Sequence, residues 1–296
     1  METKLITAIK QQENNVSPIL SFDKDGYLEI NRETLRSTAR YELAKGGLRA
    51  VAPVEHFMLL DKIEEMVYKH TGITPVQEPI TIEQNQSLRL MWNGAKDQCP
   101  TQNYLIQRAT TKLNINHPSD TEHNMTVGVS YSEKGIQVAF GTNVRVCSNL
   151  SVFGENVFST WGDKAARVPF DKGMELLEKW VGNYAELRDR NGNIIKRLKE
   201  IEVAPERVEQ LFGKLIRNAV MWNAGQKQYD TPFNVTQVHR MIEQGYANPT
   251  ATTAWDITNW GTEVNKPRTA YSPELIQRSN QWNNYILNEF EVSLLN

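Results

Sequence analysis

A chain of 296 residues is long enough for one large domain or two modest ones, each with its own buried core. With 33 basic against 35 acidic residues its formal charge is −2, which excludes a global electrostatic case for nucleic acid or membrane, so any basic site must be local. No apolar run reaches the ~18 residues that span a bilayer, and METKLITAIKQQENN lacks the apolar core of a signal peptide, so a cytoplasmic protein with no membrane partner is expected.

The two cysteines, Cys99 and Cys147, are then expected as reduced thiols. The 26 Asn, seven Trp and ten Tyr favour planar, hydrogen-bonding surfaces over long-range charge.

The first firm signal is FDKDGYLEI. As a calcium loop it would place Ser21 first and Arg32 last, where a bidentate Glu is needed, so a D-G turn between short strands is the better reading. Asn31 then caps a helix through RETLRSTARYELAK that stops at Gly46-Gly47. In VEHFMLLDKIEEMVYKHTG, Phe57, Leu60, Ile63, Glu64 and Val67 trace a 3.6-residue face that predicts a second helix ending at Gly72.

From Thr74 to Phe140 the period becomes two. PITIEQNQSLRLMW, YLIQRATTKLNIN and MTVGVSYSEKGIQVAF predict an antiparallel sheet of roughly four to six strands, with a hairpin at residues 132–135. GTNVRVCSNLSVFG continues the last strand. After Pro169, five segments with caps or prolines at their starts read as helices, and six of the seven tryptophans fall after residue 160, where their indoles fasten helix to helix and helix to sheet. The fold class is therefore α+β: an antiparallel sheet with N-terminal helices in residues 1–168, then a mostly helical half, residues 169–296, docked on it as a second unit or as part of one continuous domain.

Several clusters offer chemistry. Cys147 beside Arg145 invites a thiolate nucleophile, but the motif holds no histidine, and a base would have to come from His56, His117, His123 or His239. Val144, Val146, Leu150, Val152 and Phe153 instead make this an apolar strand and turn, with Cys147 a small hydrophobe and Ser148 and Asn149 bonding the local backbone. NHPSDTEHN gathers His117, Asp120, Glu122 and His123, a set suited to a divalent metal but equally an inter-strand loop, which is preferred. No phosphate loop, dinucleotide fingerprint or nucleophile elbow is present in the sequence, and no cofactor or metal is expected.

LRDRNGNIIKRLK sets Arg188, Arg190, Lys196, Arg197 and Lys199 around an N-G turn, a phosphate contact or, by preference, a solvated helix end. On the sheet, Arg89, Arg108, Lys112 and Arg145 alternate with Tyr104 and Trp92. Cations and rings on one exposed face would hold single-stranded nucleic acid by charge and stacking.

The strand ending NVRVCSNLSVF and the later helix TTAWDITNWGTE together resemble the phage/plasmid-like proteins gathered as domain of unknown function 932. That family carries an R-V-V-C-x-N-T/G-L motif after a β-rich half and a T-x-W-x-x-x-N-x-x-T-E-like helix in its helical half. Arg145, Cys147, Asn149 and Leu150 match the first motif by type, Leu150 standing where Thr or Gly is usual, and Thr253, Trp255, Asn259, Thr262 and Glu263 match the second. Arg145 stands one place nearer Cys147 than in the commonest form, so the chain resembles a remote member over roughly residues 80–265. The resemblance implies residence on a mobile element and supplies no reaction.

On that helix Trp255 and Trp260, five apart, would cover different faces, one wedged in the core and one reaching a partner. Asn259 and Glu263 would share a polar face against the strand end near Asn149, giving the motif a structural role. The expected function is non-enzymatic: binding or annealing single-stranded nucleic acid. The alternatives are a protein-interaction module that uses exposed aromatics against a host or phage protein, as monomer or oligomer, and a cysteine-dependent enzyme.

Overall fold

The computed structural model describes residues 23, 26–37, 56–84, 106–118, 123–132, 135–144, 150–151, 157–160, 168–220, 222–223, 228–229, 231–247, 252–265 and 273–292. Strand β1 (Tyr27–Ile30) leads into α1 (Arg32–Ser37) and α2 (His56–Thr71). The strands β2 (Val76–Gln77), β3 (Ile80–Gln84), β4 (Ile106–Ile115), β5 (His123–Ser132), β6 (Gly135–Val144), β7 (Leu150–Ser151) and β8 (Val157–Ser159) follow. The later half holds α3 (Phe170–Gly182), α4 (Tyr184–Glu200), α5 (Pro205–Val220), α6 (Val235–Ala247), α7 (Ala254–Val264) and α8 (Pro273–Glu289), with a small ladder of β9 (Trp222–Asn223) and β10 (Gln228–Tyr229) after α5. This is the α+β arrangement that the periodicities predict.

Local chemistry explains the element ends. Asp23 accepts from the Tyr27 amide at 2.8 Å through its carboxylate, and Gly26 sits at φ 87°, a tight lead-in to β1. The Asn31 side chain caps α1 by accepting from the Thr34 amide at 2.8 Å. The sequence from Thr38 to Gly47, where that helix was expected to continue, lies outside the described residues. Helix α2 ends where Gly72 takes φ 69°, a left-handed turn that a side chain resists. It buries Leu59, Leu60, Ile63 and Val67, while Glu64 stays at the surface and accepts from Arg32.

The sheet runs in the order β1-β3-β4-β5-β6-β7, with β2 on β4 and β8 on β6, and every pairing is antiparallel. Ser132 pairs with Gly135 across the predicted hairpin. Alternation divides the sheet into two unlike faces. One presents Ile80, Ile82, Leu113, Ile115, Met125, Val127, Val129, Val138 and Phe140 to α2, α3 and the start of α4. Each fully buried Ile, Leu or Phe there contributes about 2 kcal/mol.

A second apolar cluster gathers Ile194, Leu198, Leu211, Phe212, Leu215, Val238, Met241, Ile257, Trp260, Trp282 and Ile286 from α4 to α8. Helix α4 belongs to both clusters: Tyr184 and Leu187 pack with the sheet, Ile194, Ile195 and Leu198 with the bundle. Between them lies Asn191, which is fully buried and donates from Nδ2 to Thr142 Oγ1 at 2.8 Å.

The expected N-G turn at Asn191-Gly192 is therefore corrected to helix interior. The hydrogen bond to β6 and the apolar contacts on both sides hold the dipeptide helical against its turn preference. Arg188 accordingly pairs with Asp189 at 2.8 Å on a helix surface.

Candidate nucleic-acid interface

The second face of the sheet is polar, and the strand register arranges it in rows. Glu83, Arg108 and Ser132 form one row; Thr81, Thr110, Ser130, Gln137 and Ser159 the next; then Lys112, Gly128 and Ala139; then Asn114, Thr126 and Gly141. Arg108 and Lys112 thus stand on one face of β4 with Thr110 between them, as period-two alternation requires. Gly128 and Ala139 stand beside Lys112, and the row ends at the apolar Val157 of β8.

Each cation has a carboxylate nearby. Arg108 Nε lies 3.8 Å from Glu83 Oε2, and Lys112 Nζ lies 3.8 Å from Glu78 Oε2. Both separations exceed hydrogen-bond length. Lys112 is 7 % exposed, and burial pushes its ammonium below the usual lysine range, with Glu78 opposing the shift.

Glu78 is itself held. Its Oε1 accepts from Asn114 Nδ2 at 2.9 Å, its carbonyl accepts from Thr111 Oγ1 at 2.8 Å, and its amide donates to the Lys112 carbonyl at 2.9 Å. From Asn114 the chain of side-chain bonds continues: Thr126 Oγ1 donates to Asn114 Oδ1 at 2.7 Å, and Asn124 Nδ2 to Asn116 Oδ1 at 2.9 Å. Polar groups buried this way keep their hydrogen bonds, so the face is an ordered array of hydroxyls and amides. Thr110, Asn124, Thr126, Ser130 and Gln137 are all buried, whereas the sequence reading had asked for an exposed face.

Of the five side chains singled out for nucleic acid, Arg108 and Lys112 share one face of β4, four residues apart. Arg89, Tyr104 and Arg145 lie outside the described residues, as does Trp92. Sequence reasoning missed Glu78, Glu83, Asn114, Asn124 and Thr126. Glu83 alternates with Ile80 and Ile82 in ITIEQ, a signal that it faces away from the core, but its pairing with Arg108 depends on the β3–β4 register.

Arg145, Cys147 and Asn149 also lie outside the described residues, but their flanks are set. Strand β6 ends at Val144, β7 begins at Leu150, and Asn143 pairs antiparallel with Leu150. The motif therefore joins two strands that pair directly. Cys99 and the Asp120 and Glu122 of the NHPSDTEHN loop are likewise outside, and among the described residues no group of three or more His, Cys, Asp or Glu side chains could hold a metal.

Helix α7 carries the second motif and is sealed by a capping box, with Thr253 and Asp256 each bonding the other's backbone amide. Both indoles are buried, Trp255 at 8 % and Trp260 at 9 % exposure, which corrects the expectation that one of them reaches a partner. The helix lies inside the bundle against α4, α6 and α8, so opposite faces both meet protein. Asn259 is half-buried and Glu263 exposed on their shared face, while β7 is met by α8. Among the described residues no helix is long and apolar enough to cross a membrane. Comparison with family models, with curated proteins and with solved structures finds no match to this chain.

Proposed function

We propose that this chain is a phage/plasmid-like, non-enzymatic protein that holds single-stranded nucleic acid on the polar face of its sheet. The observation that carries the reading is the placement of Arg108 and Lys112 on one side of β4, within rows of hydroxyl and amide side chains. The partly exposed members of the rows, Thr81, Asn114, Ser132 and Ser159, supply the donors and acceptors that sugars and base edges use, while the buried ones hold the face in shape. Because Glu78 and Glu83 offset the two cations, recognition rests on short-range hydrogen bonds, and few counterions are released.

The test is a titration of fluorescent single-stranded DNA at low and moderate salt. Two phosphate contacts predict a slope of log affinity against log salt of about −1.4. Replacing both cations, Arg108→Ala with Lys112→Met, is expected to abolish the binding. No binding at low salt, or full binding by the double variant, would overturn the proposal. The competing reading, a protein-interaction module, draws on exposed apolar side chains such as Tyr68 of α2, which is 60 % exposed.

A further inference from the structure

Helices α2 and α3 lie side by side on the apolar face of the sheet and leave a cleft of about 450 Å³ between them. Its floor is Met66, Phe170 and Met174, each partly buried against the sheet core. One rim, on α2, carries Lys62, Glu65 and Lys69; the other, on α3, carries Asp171, Glu175 and Glu178. The lining therefore sets two ammonium groups against four carboxylates, a local charge of −2. Lys69 bridges to Glu178 at 2.9 Å and also feels Glu65 one turn earlier on α2, while Glu65, Asp171, Glu175 and Lys62 are all exposed on the rim. Met58, one turn before Lys62 on the same face of α2, extends the apolar line and is 45 % exposed.

From this combination we infer that the α2–α3 cleft is a docking site for a cationic amphipathic helix of a partner protein. Charge complementarity selects the occupant: an acidic rim around an apolar floor rejects an acidic or neutral segment and favours apolar anchors flanked by lysine or arginine. Methionine suits such a floor because its unbranched thioether adapts to whichever anchor enters. The rim from Lys62 to Lys69 spans about 10 Å along α2, room for roughly two turns of a bound helix. The surface lies across the sheet from the polar rows, so it is independent of the nucleic-acid reading.

The probe is a fluorescein-labelled peptide of fourteen residues with leucine along one helical face and lysine elsewhere. A scrambled peptide of the same composition, which cannot form one apolar face, is the control. The full-length protein is expected to bind the first with micromolar affinity by fluorescence anisotropy, and the scrambled peptide at least tenfold more weakly. Glu65→Lys with Glu175→Lys, both at exposed positions, is expected to weaken binding at least tenfold while leaving the circular dichroism spectrum unchanged. Met174→Ala is expected to weaken it several-fold. Equal binding of the scrambled peptide, or unchanged binding by the charge-reversed variant, would overturn the assignment. So would a dimer in sedimentation that the charge reversal dissolves, since a second copy would then be the occupant.

Discussion

Lys112 is a cation whose charged form burial disfavours. Its side chain is buried, the Glu78 carboxylate stands 3.8 Å away, and desolvation depresses its pKa below the ordinary 10.5. Removing a buried charge is neutral to stabilising when its partner keeps other support, and Glu78 does: its side chain is 41 % exposed and accepts from Asn114. Lys112→Met is therefore expected to raise stability by about 1 kcal/mol, a shift of about 2 °C in the thermal midpoint, while single-stranded DNA affinity falls. The pH dependence has a definite sign. A depressed folded-state pKa contributes stability above the unfolded value, and that contribution is lost as pH falls through the folded value. The advantage of Lys112→Met should thus be largest near pH 7 and close as pH rises towards 10.5, read from melting curves of both proteins. A variant less stable than the parent at every pH would mean that Lys112 is a structural ion-pair partner.

At the scale of elements, α7 and α8 approach so closely that one position admits only hydrogen. A Cβ on Gly261 would fall 2.1 Å from Cε2 of Trp282 and 2.2 Å from its Nε1. That indole is fully buried, stacks on Tyr285 at 5.7 Å, and donates to the Thr258 carbonyl at 2.9 Å. Gly261→Ala must displace the ring and break the bond, an expected loss of about 2–3 kcal/mol by denaturant titration. Gly213→Ala, on the exposed side of α5 with nothing within 4 Å of its Cβ, is expected to gain about 0.5–1 kcal/mol from helix propensity alone. The contrast marks what a sequence shows. The stop of α2 at Gly72, the hairpin at Ser132 and Gly135, and the shared face of Arg108 and Lys112 follow from local glycines and period-two alternation, and were legible. The helical Asn191-Gly192, the burial of both Trp255 and Trp260, and the carboxylates beside the two cations were not. Each depends on a contact from a distant element: Thr142 of β6, the helices enclosing α7, and the registers that bring Glu83 and Glu78 to β4.

For the whole molecule the question is whether the sheet core and the bundle core unfold together. Helix α4 runs unbroken through both, and Asn191 at its middle fastens it to β6. Helical hydrogen bonds pass directly from the turn that carries Leu187 to the turn that carries Ile194, so loss of either core strips support from the other. Hydrogen exchange is then expected to report one common opening free energy for the slowest amides of β4–β6 and of α7–α8. Gly192→Pro tests the coupling at its narrowest point. Proline removes the amide at 192 and its ring clashes with the carbonyl of Arg188, a penalty of about 3 kcal/mol in a helix interior. If α4 transmits cooperativity, the variant will split the exchange into two classes, with at least one core still protected and the other opening at lower free energy. If both cores lose protection equally, α4 is not the link, and the contact of α8 with β7 carries the coupling instead.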